Sequence, residues 1–120
     1  MIKKTLVLGA SEKPHRYAYK AIALLSDYGH PVVAIGRKNG FALSIPITTE
    51  LNPIENIDTI TLYLSEDNQR EYYDYIFSLS PKRIIMNPGA ENNELKELAI
   101  RRGIEVIEHC TLVMLNTERY

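Results

Sequence analysis

The chain has 120 residues, 45% of them apolar and 24% charged, with a formal net charge of −1. That length suits one domain with a single core and leaves no room for a nucleotide-binding domain beside a separate catalytic one. A charge balance so near zero gives no footprint for nucleic acid or for an acidic membrane surface, and one cysteine, Cys110, excludes an internal disulfide framework.

The N-terminal "MIKKTLVLGAS" leads straight into a strand pattern. Its apolar part is shorter than a signal-peptide core and passes into the charged, proline-containing "SEKPHR". No stretch approaches the roughly 20 apolar residues of a membrane span, so a cytoplasmic location is the default expectation.

Short β-branched runs alternate with helical patterns, as in a parallel sheet wrapped by helices. Residues 5–9 read as a buried first strand. A helix follows, with Ala18, Ala21, Ile22 and Leu25 on its inner face, and "YGHP" stops it. Residues 32–36 are the second strand. The stretch 37–56 has no helical period and carries two prolines, Pro46 and Pro53, so it reads as an excursion with a short extended piece at 44–48. Residues 57–64 form a third strand, 68–79 a helix buried through Tyr72, Ile76 and Phe77, and 83–86 a fourth strand ending in the sharp turn "NPG". Residues 91–102 are a further helix, packed through Leu95, Leu98 and Ala99, 104–110 a fifth strand, and 111–116 an extended or short helical tail.

The expected fold is thus a single α/β domain over 1–120, a Rossmann-like, doubly wound parallel sheet of about five strands in the order 3-2-1-4-5 with helices on both faces. In such sheets ligands lie beyond the carboxyl ends of the strands where the winding reverses. Here that is expected between the first and fourth strands, where "GAS" and "NPG" would both open.

The loop after the first strand reads "GASEKPHRY" instead of the usual three-glycine dinucleotide pattern. Gly9 permits a tight turn, and the small Ala10 and Ser11 let backbone amides approach a diphosphate. Pro14 suits the first turn of a helix, so the next helix is expected to begin near Lys13 or Pro14, with Lys13 and Arg16 adding positive charge. The competing reading is a plain strand-to-helix turn with solvated charges. At the end of the second strand an NAD-binding fold places an acid for the ribose 2′-hydroxyl; this chain has Arg37 and Lys38. Two cations there suit a phosphorylated ribose, the 2′-phosphate of NADP or the 3′-phosphate of coenzyme A, and read otherwise as ordinary surface charges.

"VLGASEKPHRYAYKAIALLSDYGHPV", together with "MNPGAENNELKELAIRRGIEVIEHCTLVML", resembles the family of small single-domain CoA-binding proteins, related to the CoA-binding domain of succinyl-CoA synthetase. The family's G-A-S-x-x-P-x-R-Y loop is matched at every defined position. Where it commonly has valine, asparagine and proline after the second strand, this chain has Ile35, Gly36 and Arg37. The resemblance implies that Gly9, Ala10 and Ser11 contact the pyrophosphate with Lys13 and Arg16 as charge partners, and that Tyr17 supports the loop or lines the pocket. It also implies that Ile35, Gly36 and Arg37 border the adenosine, and that Pro88, Gly89 and Asn92 form the opposite wall toward the pantetheine arm. Asn92 reads equally well as a helix cap.

No catalytic or metal constellation emerges. His15, His30 and His109 lack metal-ligand spacing. His109 and Cys110 would point to opposite faces of a strand, and Cys110 reads as a small buried residue that ends near the crevice, where it would meet the thiol of coenzyme A. His15 reads as an exposed loop residue or a phosphate donor. The expectation is a stand-alone binding or regulatory module for coenzyme A or an acyl-CoA, which docks on a protein partner or a second copy but on neither nucleic acid nor membrane. The alternative is a small NADP-dependent oxidoreductase or its cofactor-binding subunit.

Overall fold

A computed structural model describes all residues, Met1–Tyr120. Seven strands alternate with five helices. The strands are β1 (Thr5–Leu8), β2 (Val32–Ile35), β3 (Gly40–Ala42), β4 (Ile45–Thr48), β5 (Thr59–Leu62), β6 (Arg83–Met86) and β7 (Glu105–Glu108). The helices are α1 (Tyr17–Asp27), α2 (Glu66–Gln69), α3 (Tyr73–Ser78), α4 (Asn93–Arg101) and α5 (Thr111–Asn116), with a 3₁₀ turn at Arg70–Tyr72. None of the helices is long and apolar enough to cross a membrane.

The strands form one sheet in the order β3-β4-β2-β1-β5-β6-β7, parallel throughout except for β3, which runs antiparallel to β4. Both faces are covered, and alternate residues of each strand serve opposite layers. Leu6, Leu8, Ile60, Leu62, Ile84 and Met86 pack against Tyr72 and Ile76 near α3 and against Leu95 and Ala99 of α4. Val7, Ala34 and Ile47 face Ala18, Ile22 and Leu25 of α1 and Leu115 of α5. The Rossmann-like class is therefore as expected.

Strand number and order need correction. The excursion at 37–56 contains a hairpin, β3–β4, and β4 adds to the sheet beside β2 with Ala34 opposite Ile47 and Ile35 opposite Thr48. It takes the place expected for the third strand. That strand, β5, lies on the other flank of β1, where Thr5 is opposite Thr59. The hairpin had no conventional signal because its two-residue turn, Leu43 and Ser44, contains no glycine or asparagine, and Leu43 adopts the left-handed conformation at φ 56°. The winding consequently reverses between β1 and β5, and the turn after β6 lies one strand farther out.

Two helices also depart from expectation. The helix predicted at 68–79 is divided into α2, the 3₁₀ turn and α3. α1 begins at Tyr17 rather than at Lys13 or Pro14, with Arg16 in an extended conformation as its N-terminal cap residue. The loop after β1 therefore runs through Arg16.

Candidate functional site

The carboxyl ends of β2, β1 and β5 are knitted together around Gly9. The amides of Gly9 and Ala10 both donate to the Ile35 carbonyl at 2.9 Å. Gly9 has φ +96°, and a β-carbon there would stand 2.8 Å from the Tyr63 carbonyl oxygen, so conformation and space both require glycine. Gly36 in turn donates its amide to the Thr48 carbonyl at 3.0 Å.

These bonds decide which amides remain available. Those of Gly9 and Ala10 are committed to the sheet, whereas those of Ser11 and Glu12, and of Tyr17, Ala18 and Tyr19 in the first turn of α1, have no acceptor within the protein. Lys13 donates its amide to Ser11 Oγ at 3.1 Å, which shapes the bend between the two groups. A run of unsatisfied N–H groups at a loop and a helix start is a site for an anion.

A cleft of about 290 Å³ opens beside Ser11 and Glu12. Gly9, Ala10, Ser11, Lys13 and Arg16 line one side, and Arg37 and Lys38 the other. Four cations thus surround one mouth, opposed within it by a single acid, Glu12. Sequence reasoning did not single out Glu12 or the nearby Leu64; Glu12 sits in the middle of the loop motif, and its carboxylate reaches Gly40 of β3. Arg37 already has a partner, with its Nη2 lying 3.5 Å from Glu71 Oε1. Ile35 contributes its carbonyl to the loop while its side chain is buried in the core.

A groove lined by Gly9, Ser11, Arg16, Tyr17, Ala18 and Tyr63 shares its first three residues with this cleft and its two tyrosines with a second cavity of about 390 Å³. Tyr17, Tyr63, Pro88, Cys110, Leu112 and Val113 line the second cavity. Burial raises the Tyr63 phenol above its ordinary pKa, and its hydroxyl is shielded from solvent without a hydrogen-bond partner. Asn87, also in the wall, has its amide fully engaged. Its Nδ2 donates to Thr61 Oγ1 and the Leu62 carbonyl, and its Oδ1 accepts from the Thr111 amide.

The remaining predicted positions divide. Pro88 lines the second cavity, while Gly89 lies beside it in the exposed turn with φ +92° and donates its amide to Glu91 Oε1. Asn92 is only 1% exposed and lines neither space. It caps α4 by accepting the Leu95 amide at 3.1 Å, and its Nδ2 donates to Gln69 Oε1 and Tyr73 Oη. Of its two readings, the structure displays the cap. His109 and Cys110 lie beyond the end of β7, and the Cys110 amide donates to His109 Nδ1 at 2.7 Å, so that nitrogen serves the backbone rather than the thiol. His15 is exposed in the loop and lines none of these spaces.

A model of the family described as the CoA binding domain matches residues 3–116. The chain belongs to that family. Among solved structures, this CoA-binding domain is similar to the crystal structure of an uncharacterized protein with 48% identity, a TM-score of 0.98, and coverage of 100% of this chain and 99% of that one. It shares its fold with a hypothetical protein from Pyrococcus horikoshii (21% identity, TM-score 0.87, 97% and 83% covered). A protein from Thermus thermophilus has the same fold (19% identity, TM-score 0.87, 99% and 91% covered). No curated protein matches the domain in sequence.

Proposed function

We propose that the protein binds coenzyme A, free or acylated, as a stand-alone binding or regulatory module. The observation that carries this reading is the convergence of Lys13, Arg16, Arg37 and Lys38 on one cleft that is also lined by Ser11 and Glu12, whose amides are free. A diphosphate suits the amides and Arg16, since charge-assisted hydrogen bonds to phosphate are the strong kind. Arg37 and Lys38, across the cleft, suit the phosphate on the ribose. The groove past Tyr17 then leads the pantetheine arm toward Pro88 and Cys110. Ile35 and Gly36 serve this site through the backbone, by holding Gly9 and Ala10 in place.

Calorimetric titration with CoA, 3′-dephospho-CoA and NADP at one salt concentration tests it. CoA binds tightest, Arg16→Ala weakens it by about 1.5–3 kcal/mol, and Arg37→Ala weakens CoA more than dephospho-CoA. Binding of NADP without binding of CoA would make the protein a nicotinamide-nucleotide binder instead.

A further inference from the structure

We infer that the second cavity holds the acyl group of an acyl-CoA, and that the group it accepts is apolar and uncharged. This rests on the CoA reading of the cleft and extends it to the far end of the ligand. The groove shares Arg16 with the cationic cleft and Tyr17 and Tyr63 with the cavity, so a chain that leaves a diphosphate at the loop has a lined path toward it.

The chemistry of the wall selects what it can hold. No charged side chain lines the cavity. Its polar groups are few and neutral: the Asn87 amide is spent on Thr61, Leu62 and Thr111, and the Tyr63 hydroxyl, though without a hydrogen-bond partner, is shielded from solvent and carries no charge. The surfaces left for a ligand are aromatic ring, proline, aliphatic carbon and the Cys110 sulfur. A terminal carboxylate, as in a succinyl group, would lose water there and gain no cation. A branched or straight aliphatic acyl group would lose only unfavourable hydration.

The rim supports the same assignment. Tyr17 at the start of α1 is 67% exposed and Val113 on α5 is 46% exposed, and both border this cavity. Two large apolar side chains left in water at one mouth gain burial when an apolar group lies between them.

Titration of the wild type and of Val113→Lys with CoA, isobutyryl-CoA and succinyl-CoA, under a reductant, is the test. In the wild type, isobutyryl-CoA binds about tenfold tighter than CoA, and succinyl-CoA no tighter than CoA. Val113→Lys abolishes the isobutyryl advantage and turns the preference toward succinyl-CoA. Equal wild-type affinity for CoA and isobutyryl-CoA, or a wild-type preference for succinyl-CoA, overturns the acyl assignment and leaves CoA binding standing. An unchanged isobutyryl advantage in Val113→Lys also overturns it, because the acyl group would then lie elsewhere. Absence of binding by all three ligands overturns the CoA reading together with this one. The wild-type comparison decides the matter by itself if the variant fails to fold.

Discussion

Gly36 lies so close to the carbonyl oxygen of Ala10 that a β-carbon on it would stand 2.4 Å away. The obstacle is backbone, which cannot swing aside as a side chain would, so Gly36→Ala has to displace the loop or the end of β2. Overpacking of this kind costs about 1–3 kcal/mol. The displaced residues are those that set the Ser11 and Glu12 amides in the cleft. Urea unfolding should show the loss of stability, and calorimetry a parallel loss of CoA affinity. A variant with normal stability and normal affinity would mean that the loop tolerates movement at this point.

Asn92 supplies a contrasting case. Asn92→Ala removes the cap on the Leu95 amide and leaves Gln69 Oε1 without its buried donor. Loss of the cap and of that bond predicts a destabilisation of about 2–3 kcal/mol. CoA affinity, measured below the unfolding transition, should be unchanged. A variant of normal stability with weakened CoA binding would instead place Asn92 at the ligand.

The pairing of Arg37 with Glu71 sets up a competition. Both side chains are exposed and 3.5 Å apart, so their attraction is worth less than about 1 kcal/mol. A phosphate that approaches Arg37 must nevertheless displace the carboxylate or share the guanidinium with it. Glu71→Gln should therefore raise CoA affinity about two- to fivefold and leave 3′-dephospho-CoA nearly unaffected. Equal gains for both ligands would separate Arg37 from the ribose phosphate.

At the amino-terminal end of the sheet, burial and then the nearby Lys3 lower the pKa of His30 below its ordinary 6.5, and its Nδ1 accepts the Lys3 amide at 3.0 Å. The unfolded chain consequently binds a proton more readily than the native one. The stabilisation from neutral His30 is complete above about pH 6.5 and is lost as the pH falls through the lowered native value. Urea midpoints taken at about pH 7.5 and about pH 5 should fall more for the wild type than for His30→Gln. Equal declines would assign the acid sensitivity to other groups.

How far the chain could be read in advance depended on whether the deciding interaction was local. β6 has the predicted bounds because Pro81 and the Pro88–Gly89 turn bracket four apolar-rich residues. The hairpin was hidden because the glycine available, Gly40, is spent inside β3, where a β-carbon would stand 2.4 Å from Glu12 Oε2, and the turn falls to Leu43 and Ser44. Lys13, Arg16, Arg37 and Lys38 were recognisable by type and by their place after successive strands, and the fold brings them to one cleft. The Glu71 partner of Arg37, the closed bonds of Asn92 and the orientation of the Asn87 amide depend on contacts between distant elements and carry no local pattern. The start of α1 was displaced by a local detail: Arg16 donates its amide to the Lys13 carbonyl, so Pro14 sits in a turn ahead of the helix rather than in its first turn.

The four cations of the cleft stand on a molecule whose formal charge is −1, so positive potential is gathered at one mouth while the body as a whole is slightly negative. A small polyanion would feel this asymmetry before it touches the surface and would be turned toward the opening as it diffuses. Added salt would then slow capture much more than it hastens escape, because the approach is governed by the screened long-range field and the departure by short contacts inside the groove.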